Sequence, residues 1–169
     1  EIGKKDVQPG LKLELVVKDG MCLTASDKDS VLNPARWLMS NIVEAYLKIF
    51  SIEKCAMWRC QDWFVIKDYV KKDVEFRIPW SLDKTEFSTV EKIYIPICQR
   101  GHFFSLVINL TDRTVTLLDT MGPGKATSRH YTMMWNAFVR KCNRMKDLLA
   151  DAPFSTAFLA HPNQRDAVS

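Results

Sequence analysis

The sequence predicts an α+β domain whose strands are grouped in one block with helices before and after it. Three strand patterns follow one another at Ile93–Cys98, Phe103–Leu110 and Thr114–Leu118, separated only by short polar turns. Such spacing is typical of strands joined by hairpins. Helical apolar spacing occurs on both sides of the block, and 169 residues are enough for one domain with a hydrophobic core.

Each strand pattern carries its own prediction. The first is rich in β-branched residues but contains Pro96, which predicts that it ends there or lies at a sheet edge. The second is almost entirely apolar, as expected of a strand covered on both faces. The third follows a polar turn and is predicted to run antiparallel to the second.

Two polar residues interrupt this apolar block at its ends. His102 opens the second strand and Asp119 follows the third. A hairpin brings these positions to the same end of the sheet, where the carboxylate can hold one ring nitrogen while the other acts as a general base. The alternative is a strand-end histidine and a turn aspartate that are neighbours by chance.

The rest of the chain carries weaker patterns. We predict a helix that Ser40 caps and, as the clearest helix, Tyr131–Leu149, whose aromatic and methionine stripe is typical of core. The remaining predictions are a frayed leader at Glu1–Gly10, an edge strand at Leu11–Val17, a loop at Ala25–Pro34, a helix at Ser51–Val70, a long connection at Lys71–Thr89 and a short strand at Pro153–Ala160.

Composition narrows the class of protein. Five irregularly spaced cysteines without a Cys-x-x-Cys pair favour reduced thiols, and therefore the nucleus or cytoplasm. Three scattered histidines give little support for zinc, and no cofactor is expected. A net charge of +4 is too small for a nucleic-acid partner. No apolar run could span a membrane, and the first residues lack a signal-peptide core.

The order of motifs resembles the Ulp/sentrin-specific protease family, the papain-like cysteine peptidases that process and deconjugate SUMO and related ubiquitin-like proteins. The resemblance covers nearly everything from Arg36 onward, and its strength lies in the order and spacing of the marks. The matching marks are Trp37-Leu38, Ile95-Pro96-Ile97, His102 followed by an aromatic residue, Asp119-Thr120, and Pro162-Asn163-Gln164-Arg165-Asp166.

The resemblance implies a papain-like fold of the Ulp type with a mixed central sheet flanked by helices. It implies that His102 is the base and Asp119 its orienting residue. It also implies that Trp37 and Phe103 wall a channel for the Gly-Gly tail of a SUMO-like partner. The family motif Gln-x-Asn-x-x-Asp-Cys-Gly supplies the nucleophilic cysteine and an oxyanion donor.

The chain departs from this motif where the chemistry is decided. Ala167 occupies the nucleophile position, His161 the glutamine position and Val168 the glycine position. Alanine has no nucleophile, so the resemblance implies a chain that does not cleave peptide bonds by the family route. Cys98 and Cys142 are the conceivable substitutes, and both are predicted to be buried packing thiols.

The family also places the nucleophile at the start of a central helix, and the sequence shows no such helix after Ala167. We therefore predict an N-terminal extension with an edge strand at residues 1–35 and an incomplete protease-like domain at residues 36–169. Without that helix, apolar surface of the domain would be exposed to water. This exposure costs about 25 cal/mol of stability per Å², unless a partner covers the surface.

Three readings remain open from the sequence. The chain is an inactive peptidase domain, a pseudoprotease that binds a ubiquitin-like protein or another partner, or a non-functional frameshifted product. Loss of one nucleotide from codons for Asp-Cys-Gly-Val would yield Asp-Ala-Val-Ser, the residues found from Asp166 to Ser169. A misplaced exon boundary is the neighbouring explanation, and an engineered Cys-to-Ala change fits less well because glycine should then follow.

Overall fold

A computed structural model describes residues 13–17, 21–33, 40–49, 52–72, 79–119, 122, 124–149 and 152–158. The chain divides into two compact units, residues 1–51 and 52–169, and the boundary at residue 35 stays a prediction. Within the described ranges, no helix is long and apolar enough to cross a membrane. Trp37, His161 and Ala167 lie outside these ranges.

The first unit contains a two-stranded antiparallel sheet and two helices. Its elements are β1 (Leu13–Val17), β2 (Met21–Thr24), α1 (Ala25–Leu32) and α2 (Ser40–Ile49). The strand predicted at Leu11–Val17 is confirmed over its described part, Leu13–Val17. The helix predicted after Ser40 is also confirmed, but Ser40 is its first helical residue and not its N-cap as predicted.

The prediction of a loop at Ala25–Pro34 is wrong, because a capping box starts α1 there. The Asp27 carboxylate accepts a hydrogen bond from the Thr24 N–H at 2.8 Å, and the Thr24 hydroxyl accepts one from the Asp27 N–H at 3.3 Å. Asp27 is almost fully buried and also accepts a hydrogen bond from Asn41 of α2. The Thr-x-x-Asp spacing was the available sequence signal.

The second unit is built on a mixed sheet of five strands in the order β3-β4-β5-β6-β7. The outer pairs β3–β4 and β6–β7 are parallel, and the inner pairs β4–β5 and β5–β6 are antiparallel. The elements are β3 (Cys55–Met57), α3 (Cys60–Lys71), α4 (Trp80–Lys84), β4 (Lys92–Gln99), β5 (His102–Asn109), β6 (Thr114–Leu118), α5 (Lys125–Lys141), α6 (Asn143–Leu149) and β7 (Ser155–Ala157).

The three central strands and the short strand within Pro153–Ala160 are confirmed, but three other predictions of this unit are corrected. The helix predicted at Ser51–Val70 begins only at Cys60, because residues 55–57 pair with β4 as a strand. The connection at Lys71–Thr89 contains the short helix α4. The helix predicted at Tyr131–Leu149 begins earlier and is split at Cys142, whose backbone is extended.

One face of the sheet carries the core. Ile95 of β4 and Leu106 of β5 are fully buried there, and they pack with side chains of α3 and α5. The side chains of β5 on the opposite face are only half-buried, as at Val107. The prediction that β5 is covered on both faces is therefore wrong for the described residues, and its apolar residues mark one core face instead.

Pro96 lies in the second half of β4, beyond the residues that pair with the shorter strand β3. The Tyr94 carbonyl accepts a hydrogen bond from the Trp58 N–H on the β3 side, and backbone groups alternate in direction along a strand. Pro96 therefore turns its missing N–H to that same side, beyond the last β3 residue, Met57. The prediction that the strand ends at Pro96 or lies at a sheet edge is wrong, because β4 continues to Gln99 and lies between β3 and β5. The proline is tolerated there because no described strand pairs with this part of β4 on the β3 side.

Candidate functional site

The candidate site lies where β5 begins and β6 ends. A two-residue turn at Arg100 and Gly101 joins β4 to β5, with φ angles of 52° and 79°. Positive φ at both positions is typical of the type I′ turn, which keeps a hairpin in register and places Gln99 opposite His102. The pairing of β5 with β6 then brings Asp119, the residue after β6, to the same end of the sheet.

His102 and Asp119 form a hydrogen-bonded pair. The Nε2 atom of His102 lies 2.7 Å from Oδ1 of Asp119, with 33% and 17% of the two side chains exposed. A carboxylate can only accept, so Nε2 carries a proton and Nδ1 is the ring nitrogen that Asp119 does not contact. The predicted proximity of these two residues is confirmed, and the geometry is that of an oriented base.

The pair faces the helix side of the sheet. His102 shares its face with Phe104, and their ring centres are 5.9 Å apart. The Phe104 ring packs edge-on against Tyr131 of α5 at 5.5 Å, and the Tyr131 hydroxyl donates a hydrogen bond to Oε1 of Gln99 at 3.2 Å. Tyr131 and Gln99 thus border the pair.

Sequence reasoning missed the position of Tyr131 and Gln99. Tyr131 was assigned to the core stripe of its helix, and it is indeed 7% exposed. Its hydroxyl was the available signal, because a buried phenol needs a polar partner and so points to a polar site. Gln99 lies beside the pair because the register of β4 and β5 places it opposite His102, which no local pattern indicates.

We expect Tyr131 to make stability depend on pH in the alkaline range. Burial, and secondarily the charge of Asp119, raises the pKa of the Tyr131 phenol above its ordinary value of 10.0. The native state therefore holds this proton more tightly than the unfolded chain. The resulting stability is fully present below pH 10 and is lost as the pH rises through the folded-state pKa.

Urea unfolding of the wild type and Tyr131→Phe at several pH values checks this expectation. As the pH rises above 10, the free energy of unfolding of the wild type should fall relative to that of Tyr131→Phe, because only the wild type retains the phenol. A wild type that becomes more stable relative to Tyr131→Phe over that range would contradict the predicted direction.

The His102–Asp119 hydrogen bond predicts a protected imidazole proton. A charge-assisted hydrogen bond of this length slows exchange with water and moves the proton resonance downfield. We expect one downfield ring N–H signal in the proton NMR spectrum of the wild type, and its loss in Asp119→Ala. Asp112→Ala, at an exposed turn carboxylate of the β5–β6 connection, is the matched control and should keep the signal.

Cys55, Cys60, Cys98 and Cys142 are free thiols, and strand register separates two of them from His102. Cys98 pairs with Phe103 on the opposite face of the sheet. Cys55 pairs with Lys92, seven residues before Gln99 on β4 and thus about 23 Å away at the usual rise of a strand. Cys60 is buried at the start of α3.

The two predicted substitutes for the nucleophile differ in burial. Cys142 is 1% exposed behind α5, which confirms a buried packing thiol. Cys98 is only half-buried, so its predicted full burial is wrong. Its position on the far face still separates it from the imidazole.

The other predicted site residues are not brought to the pair within the described residues. Phe103 is half-buried and points to the face opposite His102, next to Cys98 in the pairing of β4 with β5. Trp37, His161 and Ala167 lie outside the described residues. Their roles stay predictions.

Comparison with known proteins identifies a family and a fold. The model of the Ulp1 protease family, C-terminal catalytic domain, matches residues 65–161, which is more than half of the chain and includes His102 and Asp119. A search of curated protein sequences gave no match.

Solved structures of Ulp1-type proteases share the fold at low identity. The yeast Ulp1 protease domain, solved in complex with Smt3, the yeast ortholog of SUMO, has a TM-score of 0.63 and 21% identity over 88% of this chain. The Ulp1-like SUMO protease catalytic domain of Chaetomium thermophilum has a TM-score of 0.59 and 21% identity over 83% of this chain. The chain spans 66% and 60% of the length of these two structures.

The family match and the shared fold agree with the five-stranded mixed sheet and with the helices packed on it. They also agree with the motif order that predicted a cysteine-peptidase domain of the Ulp type. The chain belongs to the Ulp1 protease family and has the fold of its C-terminal catalytic domain.

Proposed function

We propose that this chain is a non-cleaving Ulp-type domain that binds a SUMO-like protein through its Gly-Gly tail. The proposal keeps the recognition function of the family and removes its chemistry. One observation carries it: the histidine–carboxylate pair is intact at 2.7 Å, whereas the nearby Cys98 of β4 lies on the opposite face of the sheet. The nucleophile position of the family motif is Ala167.

The geometry retains the histidine–carboxylate pair of a cysteine protease, and the sequence lacks the nucleophile that this pair would activate. A cysteine protease uses the imidazole to hold its sulfur as thiolate, because the thiol alone is a weak nucleophile at neutral pH. Asp119 holds Nε2 of His102, and the attacking sulfur would have to meet Nδ1. The methyl group of Ala167 cannot attack a carbonyl, so the pair has no partner for acyl transfer.

Recognition of the tail requires different residues. We assign Trp37 and Phe103 to the walls of the channel and His161 to the position of the oxyanion donor. A Gly-Gly segment has no side chains, so aromatic walls can contact its backbone closely and exclude bulkier tails. The support for Phe103 is its half-buried position next to the start of β5.

Two assays test the proposal together. SUMO bearing a C-terminal aminomethylcoumarin should release no fluorophore above the buffer control, while fluorescently labelled SUMO should bind. Removal of the Gly-Gly residues from SUMO should abolish most of the binding. Turnover that requires a cysteine of this chain would contradict the loss of activity, and absence of SUMO binding would contradict the recognition function.

The alternative proposal is a frameshifted product without function. It is favoured by one observation, that the residues Ala-Val-Ser after Asp166 are what Cys-Gly-Val codons yield after loss of one nucleotide. Sequencing the gene decides the matter, since the shifted frame should then encode Cys-Gly-Val and a further family-like helix. A protein that stays soluble only with a co-expressed partner would instead favour a partner that covers apolar surface.

We further propose a location in the nucleus or cytoplasm. Cys55, Cys60, Cys98 and Cys142 are free thiols, as expected in a reducing compartment. Microscopy of a fluorescent fusion tests this placement directly, and an oxidising compartment would contradict it.

A further inference from the structure

A cleft of about 280 Å³ lies between α3 and α5, beside the end of β4. Its floor is apolar, and Trp63, Ile97 and Met134 line it. These three side chains are 8% exposed or less, so the floor is part of the rigid core rather than of a mobile loop. The cleft is therefore preformed, as binding sites usually are.

The rim of the cleft is cationic. Lys67 and Lys71 line it from α3, one helical turn apart on the same face, and His130 lines it from α5. None of the residues that line the cleft is a carboxylate. By contrast, the neighbouring Lys72 does not line the cleft and pairs with Asp68 at 3.3 Å.

Lys67 and Lys71 form no ion pair with any carboxylate of the described residues. Two ammonium groups held close together repel each other, and an anion placed between them relieves the repulsion. Phe64, which lies one turn before Lys67, is 42% exposed at the edge of the same cleft. Exposed aromatic rings are enriched at protein-binding surfaces.

We propose that this cleft binds a short acidic peptide segment of a protein partner, with one apolar side chain on the floor and flanking carboxylates at Lys67 and Lys71. The volume lies at the lower end of small-molecule pockets, which suits one or two side chains better than a cofactor. An extended nucleic acid would need a long basic track, whereas the apolar floor favours a hydrophobic anchor.

The site differs from the His102–Asp119 pair and does not depend on the proposed recognition of SUMO. Gln99 and Tyr131 line the cleft and also border the His102–Asp119 pair. The hydrogen bond from the Tyr131 hydroxyl to Gln99 lies between the two sites. Peptide binding can be measured without SUMO. Failure of one proposal is therefore distinguishable from failure of the other.

The experiment uses a fluorescein-labelled peptide, Gly-Asp-Asp-Phe-Glu-Asp-Gly, and fluorescence anisotropy with the full chain. A second peptide replaces the acids by Asn and Gln, and a third replaces Phe by Ser. We expect the acidic peptide to bind, and both altered peptides to bind at least about tenfold more weakly, which corresponds to about 1.4 kcal/mol. Equal binding of the neutral peptide would overturn the proposal.

Two double variants of equal charge locate the site. Lys67→Gln with Lys71→Gln should weaken binding about tenfold, and Lys72→Gln with Lys146→Gln should change it less than about twofold. Both remove two positive charges from exposed or half-buried helix positions, and thermal melting verifies that each variant is folded. An equal loss in both variants would show non-specific electrostatics and overturn the proposal.

A competition experiment distinguishes an acidic peptide from a nucleic acid as the ligand of the cleft. A single-stranded oligothymidine with as many negative charges as the peptide should displace it poorly. Equally effective displacement, or absence of peptide binding up to millimolar concentration, would also overturn the proposal.

Discussion

Replacing Trp135 by alanine should lower the free energy of unfolding by about 3–5 kcal/mol, as for other buried aromatic residues. Trp135 is fully buried at the centre of the second unit. Its ring lies 6.0 Å from Trp58, 5.6 Å from Phe138 and 6.1 Å from Phe154. These contacts join α5 to the segment that follows β3 and to the segment that precedes β7. Removal of the indole ring therefore opens a cavity between these three elements.

A loss of this size is a large fraction of the about 5–15 kcal/mol by which folded domains are stable, so the variant should unfold at much lower denaturant than the wild type. Urea unfolding followed by tryptophan fluorescence or circular dichroism measures it. Met133→Ala is the matched control, because Met133 is on the same helix but 68% exposed. It should change the unfolding free energy by less than about 0.5 kcal/mol.

A second variant separates volume from polarity at this position. The indole Nε1 of Trp135 is buried and has no hydrogen-bond partner among the described residues. Trp135→Phe removes this unpaired donor, which offsets part of the lost packing. We expect it to destabilise far less than alanine, and an equal cost for phenylalanine and alanine would contradict the packing explanation.

Replacing Phe103 by alanine should weaken SUMO binding by at least about tenfold if Phe103 is a wall of the tail channel, as expected for an aromatic residue at the centre of an interface. The ring is half-buried on the face opposite His102. Its loss should leave the helix-side core, which contains Leu106 and Trp135, in place. The measurement is titration of labelled SUMO with each protein.

A double-mutant cycle gives this prediction its control. SUMO without its Gly-Gly tail should bind the wild type and Phe103→Ala equally weakly, because the contact in question is then already absent. An equal loss of affinity for intact and tail-less SUMO would place Phe103 outside the channel. Such a result would contradict the assigned role without affecting the fold.

The central sheet and the histidine–carboxylate pair were predictable because they depend on short-range patterns. Strands β4, β5 and β6 follow one another through tight turns, so their order fixes their pairing. The pair at His102 and Asp119 then follows from hairpin geometry. Motif order supplied the family, which the match over residues 65–161 confirms.

Other elements were mispredicted because local patterns compete with tertiary pairing or with capping. Cys55–Met57 reads as part of an apolar helix, and only its parallel pairing with β4 makes it a strand. Helix α1 has a polar sequence, and the capping box at Thr24 and Asp27 starts it nonetheless. The positions of Tyr131 and Gln99 depend on how α5 packs on the sheet, which no local pattern encodes.

The central claim is that the His102–Asp119 pair has no sulfur to activate. Incubation of the chain with SUMO bearing a C-terminal vinyl sulfone, followed by intact-mass spectrometry, tests it most directly. We predict that the mass stays that of the unmodified chain, because Ala167 occupies the family's nucleophile position and the nearby Cys98 lies on the face of the sheet opposite His102. A covalent adduct mapped by peptide sequencing to Cys98, Cys142 or any other cysteine of this chain would contradict the claim.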